Sequence, residues 1–280
     1  MANKLPYLNV GCGSHFHKDW TNVDFVSTGE GVLAYNLLQG IPFADESFEV
    51  VYHSHVLEHF LREDGINFLQ ECNRILKPGG TIRIAIPDLE KITRNYLHFL
   101  EVLQTNSGDE YQQACYDWMM LEMYDQTVRN TSGGNMLDYL AQKRMINQDF
   151  VIERCGYEVS SIIKYLQNNS PDVASIKNKS SLKQKVKSLP SLLKRKSIKY
   201  LLGEDGVKAL EIGRFRIGGE VHCWMYDNFS LGRLLKQTGF HNIKKVTASE
   251  SDIPGWNNYG LELINGEVRK PDSLFMEARK

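Results

Sequence analysis

The densest group of residues able to do chemistry lies at the front of the chain. A short apolar run, Leu8 to Val10, leads into Gly11-Cys12-Gly13, and a second run, Thr21-Asn22-Val23, ends at Asp24. Glycines at a strand end let a ligand approach the backbone where a side chain would clash. A carboxylate at the end of the next strand can accept hydrogen bonds from both hydroxyls of a ribose. The same Gly-x-Gly pattern also fits a plain turn. The third glycine of Gly-x-Gly-x-x-Gly is absent, because Phe16 stands there. The spacing from Gly13 to Asp24 leaves room for a turn or a short helix and not for a full crossover helix. That sets the segment apart from a standard dinucleotide fold.

Two further groups follow. His55-Val56-Leu57-Glu58-His59 reads H-x-x-E-H. On one helix face this would offer two zinc ligands, with Glu58 as the base of a peptidase. The motif comes directly after a strand-like run, and no glutamate ligand is signalled downstream. A local capping or active-site role for Glu58 and His59 is therefore preferred, and no metal is expected. His15, His17 and Asp19 admit a metal as well, but a loop histidine is as readily solvated or set at a ligand's mouth. Near the C-terminus, His222-Cys223-Trp224-Met225-Tyr226-Asp227 is dense in polar and aromatic groups. Core packing and a helix cap account for Trp224 to Asp227. A histidine at 222 can serve as base for an acceptor hydroxyl, with His55 as second candidate.

The elements that would position these groups alternate as in an α/β protein. Phe48 to Tyr52 reads as a buried strand. Leu57 to Leu76 carries apolar residues at helical spacing, divided at Asp64-Gly65 with Asp64 as a cap. Lys77-Pro78-Gly79-Gly80 stops the helix, and Thr81 to Ile86 is a strand ended by Pro87. From Ile92 to Arg214 the periodicity is helical throughout. The end of the chain returns to α/β character. Ser230 caps a helix closed by Gly239, a strand lies near Ile243 to Val246, and Asn265-Gly266 is a turn between Leu261–Ile264 and Ser273–Glu277.

Composition narrows the class. The 280 residues are 42% apolar and 24% charged with a net charge of −1, which excludes wholesale disorder and a uniformly basic nucleic-acid coat. The five cysteines, Cys12, Cys72, Cys115, Cys155 and Cys223, are scattered without any C-x-x-C, which fits a reducing compartment better than a disulfide framework. With no signal-peptide pattern and no membrane span, a cytoplasmic protein is expected. Nine of the 33 Lys and Arg fall in Ser175 to Lys199 with no acid among them, which leaves 24 basic against 34 acidic residues elsewhere. A solvated face, a peripheral contact with anionic lipid at the inner membrane face, and RNA are the readings of that segment. RNA is disfavoured for want of interleaved aromatics.

In order along the chain stand the glycine loop, Asp24, Asn36-Leu37, then Ile41 to Val51 (IPFADESFEVV), HVLEH, and Leu76 to Gly80 (LKPGG). In these residues the chain resembles the class I S-adenosylmethionine-dependent methyltransferases, most closely the branch with a methyltransferase-11-type domain. The resemblance covers residues 5–90 and resumes from His222 to Lys280. It implies a Rossmann-like seven-stranded α/β sheet with its last strand antiparallel, the Asn265-Gly266 hairpin serving the closing pair. Residues 1–91 and 215–280 would form the cofactor-binding domain, and 92–214 a helical insertion acting as acceptor lid. The implied cofactor is S-adenosylmethionine. Gly11, Cys12 and Gly13 would approach its methionine moiety, Asp24 would hold its ribose, and Asn36 and Leu37 would lie beside its adenine. His53 would face its sulfonium. The amino-group motif [Asn/Asp]-Pro-Pro-[Tyr/Phe] is replaced by His53-Ser54-His55-Val56, and Pro87-Asp88 stands where a Pro-Cys pair would serve base methylation. Oxygen is therefore the expected acceptor atom. Association with surface-polysaccharide synthesis suggests a sugar or small-molecule hydroxyl, with nucleic acid unlikely. The rivals are a zinc-dependent peptidase built on HVLEH and a non-catalytic scaffold of the same fold.

Overall fold

A computed structural model describes residues 5–106, 109–169 and 189–280. Within them the chain forms two compact units, one of residues up to Arg94 with Ile152–Glu158 and Cys223–Lys280, the other of Asn95–Val151 and Val159–His222.

The first unit is built on a seven-stranded sheet. Its strands are β1 (Tyr7–Val10), β2 (Thr21–Asp24), β3 (Val32–Ala34), β4 (Phe48–Ser54), β5 (Leu76–Pro87), β6 (His241–Val246) and β9 (Ser273–Arg279). They lie in the order β3-β2-β1-β4-β5-β9-β6. The pairings from β3 to β5 are parallel, and β9 runs antiparallel to both β5 and β6. Strands buried on both faces read as near-continuous apolar runs, which is why β1, β4 and β5 stand out in the sequence. Strand β3 was not anticipated; only Val32 of its three residues is buried, so its pattern is too short to signal a strand.

One face of the sheet packs against α1 (Arg62–Ile75) and α8 (Asn228–Gln237), whose Phe68, Leu69, Cys72, Leu231 and Leu235 join Val10, Val51, Ile84 and Met276 in the main core. The other face is covered by the segment carrying Ile253, Trp256 and Leu261, packed on Tyr7, Trp20, Val50 and Tyr52. No helix separates β1 from β2 or β2 from β3, as the short spacing from Gly13 to Asp24 requires.

Three local expectations are corrected. The break in the helix after β4 falls at Phe60-Leu61, between a 3-10 turn (Leu57–His59) and α1, and Asp64 lies inside the first turn of α1 rather than capping it. Helix α8 is capped by Asp227, which accepts from the Ser230 N–H, while the Ser230 hydroxyl accepts from the Asp227 N–H. This reciprocal capping box makes Ser230 the third helical residue and not the cap. The Asn265-Gly266 turn joins β7 (Leu263–Ile264) to β8 (Glu267–Val268) in a separate two-stranded ribbon, so it does not close the main sheet.

The second unit is helical, and no strand occurs in it among the described residues. It contains α3 (Glu110–Val128), α4 (Gly134–Leu140) and α7 (Leu189–Arg216), with most of α2 (Leu89–Asn106) and α6 (Tyr157–Asn169) and the start of α5 (Gln148–Cys155). Asp125 of α3 accepts from the Asn135 N–H at 2.7 Å and pairs with Arg129 at 2.8 Å, tying the start of α4 to α3. Helix α7 is described over Leu189–Arg216. It departs from helical geometry at Gly203. Of the basic segment, residues 175–188 lie outside the described residues, and 189–199 run within α7.

Candidate cofactor-binding site

Strand β1 ends at Val10, in register with Val23 of β2 and His53 of β4. The chain then leaves the sheet through Gly11 and Gly13, both left-handed at φ 66 and 55. The N–H groups of Gly11 and Cys12 donate to the Val23 carbonyl at 2.8 and 3.1 Å, and that of Gly13 donates to Asp24 Oδ2 at 2.7 Å. The Thr28 hydroxyl donates to the Gly13 carbonyl. The loop is thus held from the end of β2, and Asp24 is fixed where β2 stops.

The two glycines are needed for different reasons. A Cβ on Gly11 would lie 2.3 Å from Val56 Cγ2, so this position is closed by packing rather than by ligand space. A Cβ on Gly13 meets nothing within 4 Å, so open space lies against the backbone there. Cys12 is buried, and burial pushes its thiol up to about 11, which leaves it a packing residue without thiolate chemistry. Asn36 caps the 3-10 turn Leu37–Gln39 by accepting from the Leu38 N–H, and Leu37 packs on the main core. Both have local structural duties, and both follow β3 at the carboxyl end of the sheet.

His53 differs from expectation. Its side chain is completely buried, neither ring nitrogen has a hydrogen-bond partner, and the ring meets Phe68 edge-on at 5.2 Å. Burial pushes its pKa down to about 3. With no exposed surface it borders no open space, so it does not face a sulfonium.

His55 stands just past β4 in the left-handed region at φ 54. Its Nε2 lies 2.9 Å from Ser273 Oγ and its Nδ1 3.2 Å from Glu58 Oε1. The HVLEH segment is therefore a loop and a single 3-10 turn, and no helix carries His55 and His59 on one face as the zinc reading requires. His15 is half-buried with Nε2 2.8 Å from the Gly260 carbonyl, and burial lowers its pKa. His222 is buried at the end of the helical unit, its N–H donating to the Gln126 carbonyl at 3.0 Å.

Residues that pattern reading passed over complete this edge. Asp88, just past β5, is fully buried and caps α2, accepting from the Glu90 and Lys91 N–H groups at 3.1 and 3.2 Å. Lys91 Nζ donates to the Pro271 and Ser273 carbonyls. An acid directly after a strand-ending proline was the available signal for the cap. Nothing near Ser273 announces its contact with a histidine 218 positions earlier.

Residues 27–84 match the family model described as a methyltransferase domain. No curated protein matches the chain. Among solved structures, the YcgJ protein of Bacillus subtilis aligns at 18% identity over 36% of this chain and 53% of its own, with a TM-score of 0.27. A SAM-dependent methyltransferase from Aquifex aeolicus aligns at 16% identity, 31% of this chain, 60% of its own and 0.25. One from Thermotoga maritima, described as a possible histamine N-methyltransferase, aligns at 24% identity, 33%, 49% and 0.26. The aligned segments span only about half the length of these structures.

The first unit thus carries a seven-stranded sheet of Rossmann-like order, with one antiparallel strand beside β5, and residues 27–84 within it match the methyltransferase-domain model. The cofactor that this match implies is S-adenosylmethionine. The residues present fit it. The open space at Gly13 admits a ligand against bare backbone. Asp24 spends two of its four or so lone-pair sites, on the N–H groups of Gly13 at 2.7 Å and Val26 at 3.4 Å, and keeps the others for a diol.

Proposed function

We propose that the protein transfers a methyl group from S-adenosylmethionine to a hydroxyl of a small molecule or sugar, in the assembly of a polysaccharide. The observation that carries the cofactor half of this reading is the Gly13–Asp24 arrangement, bare backbone beside open space with a carboxylate fixed next to it. The bound cofactor supplies a methyl group already activated on a sulfonium. The chain's own task is then to hold the acceptor in line and to take its proton. Oxygen is favoured because the end of β4 reads His53-Ser54-His55-Val56 and lacks the amide-and-proline lining that suits an amino group. His222 is the first candidate for the base and His55 the second. Acceptor recognition is assigned to the helical insertion.

Calorimetric titration with S-adenosylmethionine and with its demethylated product tests this reading. Wild type should bind both, and Asp24→Ala should bind at least tenfold more weakly, since each charge-assisted hydrogen bond is worth about 1.5–3 kcal/mol. Binding should survive chelation and dialysis. A wild-type protein that binds neither compound is a scaffold, and binding restored only by zinc would return the HVLEH reading.

The basic segment Ser175 to Lys199 is proposed to make a peripheral contact with anionic lipid. No helix among the described residues is long and apolar enough to cross a membrane. Neutralising Lys183, Lys185, Lys187, Lys194 and Lys196 should weaken co-sedimentation with phosphatidylserine vesicles, at about 1 kcal/mol per lysine near the surface, while leaving the melting temperature unchanged. Equal sedimentation of the two proteins at low and moderate salt would leave the segment a solvated face.

A further inference from the structure

The carboxyl edge of the sheet holds a second group of side chains able to bind a ligand. After β4 the chain makes the 3-10 turn Leu57–His59, and Val56, directly before it, fills the place a Cβ on Gly11 would need. The turn carries Glu58 and His59. The Glu58 carbonyl accepts from the N–H groups of Cys223 and Trp224 at 2.7 and 3.2 Å, which brings His222, one residue earlier, to the same turn. Glu58, His59 and His222 each offer one ligand atom, and these three atoms all lie within 4.8 Å of one another. Glu58 and His222 are buried, and His59 is half-buried.

The Glu58 side chain points independently to a ligand. It is 1% exposed, and neither of its carboxyl oxygens has a hydrogen-bond partner. His55 Nδ1 stands 3.2 Å from Oε1 but out of line for a hydrogen bond. Buried charges are ordinarily paired or coordinate a metal. The groups gathered around this one are imidazoles, and two imidazoles with one carboxylate are a donor set for zinc and for other divalent transition metals. A tetrahedral zinc with bonds of about 2.0–2.1 Å holds its donors about 3.3 Å apart, so the three side chains have to draw in by up to about 1.5 Å. The set is not that of the H-x-x-E-H peptidase reading, because His55 lies outside it and Glu58 is a ligand instead of the base.

We propose that Glu58, His59 and His222 form a binding site for a divalent transition-metal cation, with zinc as its probe. Three protein donors leave a position open to water or to an oxygen of a bound molecule. A His222 ring that ligates the ion has no lone pair for an acceptor proton, so in the metal-bound protein the base passes to His55. The site uses neither the glycine loop nor Asp24. It therefore does not rest on the methyltransferase reading, and removing the metal should leave cofactor binding in place.

The test is calorimetric titration of the chelator-treated chain with zinc at pH 7, repeated with cobalt, whose visible absorption reports the donors. Wild type should take up one equivalent of zinc and give the cobalt spectrum of a site with nitrogen and oxygen donors. Glu58→Gln, His59→Gln and His222→Gln should each weaken zinc binding at least tenfold, since even a residue that only orients a ligand costs about 10–100-fold when lost. His17→Gln, outside the cluster, should bind as wild type does. If the variants at the two buried positions do not fold, His59→Gln and the wild-type cobalt spectrum decide. No zinc uptake by wild type overturns the proposal, as does unchanged affinity in a folded His59→Gln or loss of binding in His17→Gln. Titration of zinc-free and zinc-loaded protein with S-adenosylmethionine separates the two readings. Zinc uptake at these residues without cofactor binding upholds the site and removes the methyltransferase reading, and cofactor binding without zinc uptake does the reverse.

Discussion

A histidine at the end of a central parallel strand looks the same in sequence whether it lines a site or completes a core. His53 does the latter. Its neighbours in register, Val10 and Ile84, are apolar and fully buried, and its ring is sealed by Phe68. This has a consequence for stability against pH. The folded state holds His53 neutral, with its pKa lowered to about 3 from an ordinary 6.5, while the unfolded chain protonates it as pH falls below 6.5. The neutral form's contribution is therefore present above pH 6.5 and is lost as pH falls from there toward 3. His53→Leu removes the titration and keeps an apolar contact with Phe68. Between pH 8 and pH 4.5, wild type should lose about 2.5 kcal/mol more than the variant, at 1.36 kcal/mol per pKa unit. Urea unfolding at the two pH values measures it, and parallel losses would assign the acid sensitivity to other groups.

At the scale of elements, the glycine loop separates two reasons for glycine that the sequence shows as one pattern. Gly11→Ala meets Val56 and a left-handed backbone together, so it should cost about 2–4 kcal/mol of stability. Gly13→Ala carries only the backbone cost, about 1 kcal/mol, but its methyl group enters the open space. It should melt near wild type and bind S-adenosylmethionine at least tenfold more weakly. Equal cofactor affinity in wild type and Gly13→Ala would place the ligand elsewhere. Apart from β3, the strands of the main sheet and the loop were legible because each is set by a few adjacent residues, as in the apolar run Tyr7 to Val10 followed by glycine. The helix break at Phe60-Leu61, the place of Ser230 inside its helix rather than at the cap, and the separate ribbon at Asn265-Gly266 were not. In each, a plausible local signal (Asp64-Gly65, Ser230, or the turn itself) competed with one that tertiary packing decided. His55 and Glu58 were visible as candidates, but Ser273 became a partner only through the return of β9 to β5.

At the scale of the whole molecule, the described chain consists of two units, and in the α/β unit one sheet face is covered by the segment carrying Ile253, Trp256 and Leu261. What fastens that cover is Arg83, an arginine in the buried Thr81–Pro87 part of β5. It is completely buried and donates to Glu277 Oε1 at 2.7 Å, to Glu262, and to the carbonyls of Thr247, Ala248 and Glu250 at 2.9, 3.2 and 2.8 Å. Its guanidinium also lies over the Trp256 ring, 4.3 Å from the centroid. One side chain on the sheet thus gathers both ends of the 247–262 cover, and Glu277 ties the same point to β9. Removing the cation alone leaves two buried carboxyl groups uncompensated, which costs about 3–5 kcal/mol in comparable sites. Arg83→Met should therefore lower unfolding free energy in urea by that amount and open residues 247–262 to limited proteolysis before the rest of the unit. The triple variant Arg83→Met, Glu262→Gln, Glu277→Gln carries no uncompensated charge, so it should regain part of the loss. A single variant that costs under about 1 kcal/mol would mean that the apolar contacts of Ile253, Trp256 and Leu261 hold the cover by themselves.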